Sequence, residues 1–244
     1  MNALKKTPEQ HTTTASSSNL NKTAHIAGIL YFIFMILGLI GEFVLPNYLI
    51  TGDAAATAQK VVDGEPLYRL SIVTALATHF LFIFLVIMLY KLFRDVNKFL
   101  SLQMVLWVSI GVTLSLANLI VMFVPLILLN GGHYLSVFTK DQLDNVVYIA
   151  LRIQSNGVDV IMSFWGLWLL PFGLLVIRSG FIPRVIGYLL LVAGFAYLAT
   201  SILYISWPES RHLVFRIMMP LYTGELPVIF WLLIAGARPR QSVA

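Results

Sequence analysis

The sequence predicts an all-α protein: a polytopic membrane helical bundle of six transmembrane helices, with short interfacial helices in the outer loops. Three observations carry this. Hydrophobic residues make up 59% of the 244 and charged residues only 11%, against roughly 25% charged in a soluble domain. The mean hydropathy is +0.85. Six runs reach the ~20 mostly apolar residues that cross a hydrocarbon core of roughly 30 Å. Finally, Lys and Arg cluster on alternate connections rather than on any polar domain. The net charge of +5 therefore reads as the positive-inside bias and not as a nucleic-acid footprint.

The chain divides into a disordered tail over 1–23, a six-span domain over 24–237 and a short basic tail over 238–244. The first tail is Ser/Thr/Asn-rich with Lys5, Lys6 and Lys22, and it lacks the apolar stretch of a cleaved signal peptide. The spans run roughly Ala24–Leu49, Leu70–Phe93, Phe99–Leu129, Val146–Ile177, Val185–Ile205 and Leu213–Ala235. Helices are the only plausible form, because backbone groups in lipid must find partners within their own segment. Placing both tails and the second and fourth connections on one side gathers ten of the sixteen Lys and Arg residues there. This predicts a multi-pass protein of the cytoplasmic (inner) cell membrane with both termini cytoplasmic.

The two longest loops then face outward. Thr51-Gly52-Asp53 precedes AAATAQKVV and Thr139-Lys140-Asp141 precedes QLDNVV. Asp and Thr at such positions accept hydrogen bonds from the first free N–H groups of a helix, so each loop is expected to carry a short helix.

Polar residues inside the spans form an outward-biased layer. Glu42 lies late in span one, His79 about nine residues into span two, and Asn118 in the outer half of span three. Arg152 enters span four, with Asp159 near its midplane; Arg216 opens span six, with Glu225 near its middle. Arg152, Asn156, Asp159 and Ser163 step by four, three and four, so they share one helix face. Tyr31, Met35, Gly38 and Glu42 do likewise, as do Gly187, Gly194, Tyr197, Ser201 and Tyr204. Small residues on such faces let helix backbones approach closely. The segment PLYTGELP (Pro220–Pro227) sets two prolines and a glycine around Glu225. A kink there is expected, able to turn Arg216 and Glu225 to one interior.

The stretches LGLIGE (Leu37–Glu42), GDAAATAQ (Gly52–Gln59), LYKLFRDVNKFLSL (Leu89–Leu102), RSGFIPRVIGYLLLVAGFAYL (Arg178–Leu198) and TGELPVIFWLLIAG (Thr223–Gly236) together resemble those of bacterial multi-span proteins classed as domain-of-unknown-function family 4386. The resemblance covers about residues 24–237. It implies a helical bundle in the bacterial cytoplasmic membrane and no particular activity, and it marks Glu42, Asp53, Arg178, Pro183 and Glu225 as motif residues.

Three functional readings stay open. A charge at the bilayer centre costs about 2.5–3.5 kcal/mol on insertion scales. Glu42, Arg152, Asp159, Arg216 and Glu225 would together cost on the order of 12–18 kcal/mol if central and unpaired. They cannot face lipid, so either they pair structurally in a scaffold or regulatory protein, or they line a site that binds or transports a small polar ligand, ion or proton. For the second reading the ligand-binding candidates are Glu42, His79, Asn118, Arg152, Asn156, Asp159, Arg216 and Glu225. The third reading, an intramembrane enzyme acting on lipid or through a metal, would need His79 with Asp159 and Glu225. No HExxH, GxSxG, GxGxxG or phosphate-binding loop is present and there is no Cys, so no catalytic residue, metal or cofactor is assigned. The lipid bilayer is the expected partner; a small polar ligand and a second copy of the chain are further candidates, and nucleic acid is not.

Overall fold

The computed structural model describes residues 8–45 and 47–237. Six helical segments are long and apolar enough to cross a membrane: Asn19–Val44, Glu65–Phe93, Lys98–Leu129, Lys140–Ser179, Arg184–Ser206 and Pro208–Ile234. They are built from α1 (Pro8–Leu39, continued by a π-helical turn Ile40–Val44), α3 (Glu65–Phe93), α4 (Lys98–Ile120) with α5 (Phe123–Leu129), α6 (Lys140–Ser179), α7 (Arg184–Ser206), and α8 (Arg211–Tyr222) with α9 (Leu226–Ile234). The short α2 (Ala54–Asp63) lies in the first long connection. The expected tail is helical from Pro8 onward; its first seven residues, with Lys5 and Lys6, and the basic tail over 238–244 lie outside the described residues.

Each span packs on the next in sequence: α1 on α3, α3 on α4, α4 on α6, α6 on α7 and α7 on α8, while α9 returns to α1. The six therefore form a ring. One end of it, here the loop face, carries α2 and the connections after α5 and α7. The opposite end, the termini face, carries the start of α1 and the end of α9. Ile26, Ile29, Ile33 and Ile36 line the exposed side of α1, as expected of a surface solvated by acyl chains.

The termini half of the ring is filled by aromatics. Trp168 stacks on Phe172 at 5.3 Å, Phe34 on Phe82 at 4.6 Å and Phe93 on Phe181 at 5.5 Å. Tyr31 tilts over Trp168 and Phe172 at 6.1 and 6.5 Å. Such offset and edge-on pairs add to what their buried area contributes. At this end α1 also grips the last helix: His25 Nδ1 is 3.0 Å from the Leu233 carbonyl, and Ala237 N donates to Asn21 Oδ1 at 3.1 Å.

The loop-face cap follows the expected chemistry. Asp53 accepts from the Ala56 N–H at 2.8 Å and so starts α2. Tyr48 and Tyr68 meet edge-on at 4.8 Å beneath it, and Tyr68 donates to the Met122 carbonyl at 2.8 Å. Thr139 and Gln142 form a reciprocal capping box. That box starts α6 itself, so the helix expected in the second loop is continuous with span four. Span three is broken at Val121–Met122, with Pro125 in the first turn of α5; its ring denies α5 one backbone donor.

The α6–α7 contact fixes the geometry around the buried charges. Gly166 faces Gly194 and Gly173 faces Gly187; a Cβ on Gly166 would stand 2.6 Å from the Gly194 oxygen, and one on Gly173 would stand 2.8 Å from the Gly187 oxygen. Seven residues further on, Ser201 Oγ donates to the Asp159 carbonyl at 2.6 Å. The antiparallel seam is thus 159 with 201, 166 with 194 and 173 with 187. A seven-residue repeat keeps one stripe of each helix facing its neighbour at a shallow crossing angle. Small residues let dispersion and weak hydrogen bonds between backbones hold the pair in lipid.

Candidate functional site

Two carboxylates pack against α7, Asp159 from α6 and the half-buried Glu225 from span six. Asp159 is 5% exposed. Its Oδ2 pairs with the Arg211 guanidinium, which also lies 4.7 Å over the Tyr204 ring. Counted back from Arg178 at ~1.5 Å per residue, Asp159 sits about 28 Å along the helix. That is close to the loop-face boundary of a ~30 Å core, not the midplane position expected for it. Its partner is also not one of the two expected arginines. Arg211 reads in sequence as a loop residue but is the first residue of α8, and the pair ties that helix start to α6.

Glu225 occupies the middle of span six. The two prolines and the glycine do interrupt the helix: residues Thr223–Glu225 form a single 3-10 turn between α8 and α9. The tight turn brings Gly224 against the Leu189 carbonyl of α7 and turns Glu225 into the ring. Tyr31 of α1 donates its hydroxyl to Glu225 Oε2 at 2.5 Å, and Tyr197 lies within electrostatic reach of the same carboxyl. Tyr197 stacks on Tyr222 at 4.3 Å with 12° between the rings, and the Tyr222 and Thr200 hydroxyls are 2.5 Å apart. Among the described residues no Lys, Arg or His forms an ion pair with Glu225. The aromatic plug, with Trp168 beneath Tyr31, forms the floor.

Above this floor Glu42 is exposed yet within electrostatic reach of Tyr197 and Tyr204. It lies on the loop-face side of Glu225 along the span. The π-helical turn that carries it adds a residue per turn and departs from the straight-helix phase the sequence suggested. Arg152 is exposed and within electrostatic reach of Arg211. Arg211 over Tyr204, Tyr222 stacked on Tyr197, and Glu225 thus form a run of polar and aromatic groups along α7.

The remaining candidates fall elsewhere. His79 Nδ1 lies 2.6 Å from the Ala75 carbonyl, one turn back in its own helix. Asn118 donates to the Gln154 carbonyl at 2.9 Å and fills the space beside Gly157, locking α4 to α6. Asn156 is exposed. Arg216 is exposed as well and, among the described residues, pairs with no acid. The kink does not join it to Glu225, because the 3-10 turn directs Glu225 to α1 and α7 instead. Among the described residues no three His, Asp or Glu side chains gather as a metal would require. Missed in the sequence were Arg211 and the tyrosines that surround Glu225. The forward signals for the latter were the polar faces that carry Tyr31 on span one and Tyr197 on span five.

The chain matches the family described as a domain of unknown function (DUF4386) over residues 26–236. It belongs to this family. The match takes in most of the first apolar span of this family member and the whole of the other five. No curated protein and no solved structure matches the chain.

Proposed function

We propose that this DUF4386 protein is a six-pass protein of a bacterial cytoplasmic membrane, with both termini cytoplasmic, that binds or transports a small polar ligand, ion or proton through an outward-facing chamber centred on Glu225. The observation that carries this is the carboxyl at mid-span, held by the Tyr31 hydroxyl and, among the described residues, by no basic side chain. A purely structural charge would be expected to have a compensating cation, as Asp159 has in Arg211. Glu225 instead keeps an acceptor that a ligand or proton can use. Ionisable groups inside a membrane protein commonly mark such paths, and broken helices commonly form such sites.

The Asp159–Arg211 pair favours the scaffold reading for that corner alone. The enzyme reading would need His79 beside Asp159 and Glu225, and among the described residues no three such side chains gather.

The test uses the full chain in liposomes loaded with a pH-sensitive dye, with acid or sodium chloride added outside. Proton- or sodium-dependent signal should be present in the wild type, be lost in Glu225→Gln and persist in Asn156→Ala. Equal signals in wild type and Glu225→Gln, with both proteins folded, would overturn the reading.

A further inference from the structure

The same chemical arrangement occurs twice along α7, about 10 Å apart by the seven residues between Tyr197 and Tyr204. At the upper site the Asp159 carboxylate and the Tyr204 ring hold a planar cation supplied by the protein itself, the guanidinium of Arg211. At the lower site the Glu225 carboxylate stands beside Tyr31 and the stacked rings of Tyr197 and Tyr222. There, among the described residues, no basic side chain takes the corresponding place. A carboxylate backed by phenol rings is a setting that a desolvated organic cation prefers: the carboxylate supplies the counter-charge and the ring faces supply cation–π attraction. A hard, strongly hydrated metal ion is better served by several oxygen ligands, and only one carboxylate is present here.

We propose that the Glu225 chamber takes an organic cation of the ammonium or guanidinium class, bound between the Glu225 carboxylate and the Tyr197–Tyr222 pair as Arg211 is bound between Asp159 and Tyr204. The inference rests on the chamber being a ligand site and names its ligand class. The cation takes the place of the Tyr31 hydroxyl on Glu225 Oε2 or binds the other carboxylate oxygen.

Equilibrium binding to the full chain in lipid nanodiscs tests this, with radiolabelled methylguanidinium and tetramethylammonium as probes and methylurea as the neutral isostere. Saturable binding of at least one cation is expected, weakened tenfold or more by Glu225→Gln and by Tyr197→Leu, retained in Arg216→Gln, with methylurea not bound. Should Glu225→Gln fail to fold, Tyr197→Leu and Tyr222→Leu carry the same test. Equal binding of methylurea, or cation binding indifferent to Glu225 and Tyr197, overturns the proposal. If the organic cations do not bind but a proton or sodium signal still depends on Glu225, the ligand class is wrong and the chamber reading stands. If neither class of probe depends on Glu225, both fall.

Discussion

Asp159 and Glu225 are both carboxylates packed against α7, and they are held in opposite ways. Asp159 sits near the end of the apolar core, closed by an arginine and tied by its backbone to Ser201. Glu225 sits at mid-span, where charge is most costly, and is met by the neutral hydroxyl of Tyr31. The contrast teaches that depth and burial alone do not separate a strut from a site. The nature of the partner does. A full counter-charge cancels the field and leaves nothing for a ligand to gain, whereas a hydroxyl lowers the cost of the charge without removing it.

The comparison breaks most completely at the seam both residues depend on. Gly166→Leu should cost more than ~4 kcal/mol, the range reached when a core is overfilled against backbone, because even a single carbon there meets the Gly194 oxygen and Leu198. Separating α6 from α7 removes Asp159 from Ser201 and displaces Tyr197. Loss of a monodisperse peak on size-exclusion chromatography is the readout, and normal assembly would contradict the close seam.

Asp159→Asn comes next. It strands the Arg211 charge, and breaking a buried pair costs roughly 3–5 kcal/mol. The low end applies here because the Arg211 side chain is 33% exposed. The melting temperature should fall clearly, and Asp159→Asn with Arg211→Gln should recover much of the loss. No recovery in the double variant would mean that the two residues are not coupled.

Tyr31→Phe removes one hydrogen bond to a charged group, worth roughly 1.5–3 kcal/mol. Glu225→Gln should cost less than that, since an amide oxygen still accepts from Tyr31, while abolishing the ligand- or proton-dependent signal. A larger thermal loss in Glu225→Gln than in Asp159→Asn would reverse the roles assigned to the two acids. Smallest of all, Arg216→Gln should shift stability by no more than about 0.5 kcal/mol, as surface changes generally do, seen as an unchanged thermal midpoint.

Much of this architecture is legible in the residues themselves. Run length and composition determine six apolar helices, because crossing hydrocarbon demands about 20 residues with all backbone groups paired internally. Asp53 and Thr139 mark helix starts because capping is a contact between neighbours in sequence. The break at Glu225 is equally local, written in Pro220, Gly224 and Pro227. What the tertiary structure decided is which polar groups meet. Arg152, Arg211 and Arg216 all stand near Asp159 or Glu225 by depth, and only the ring geometry selects Arg211 for Asp159 and leaves tyrosines for Glu225. Phase along one helix is a one-dimensional property, readable at 3.6 residues per turn. The rotation of one helix against another depends on backbone approach at the glycine seam and on a 3-10 turn that resets direction, and those relations exist only once the helices are packed.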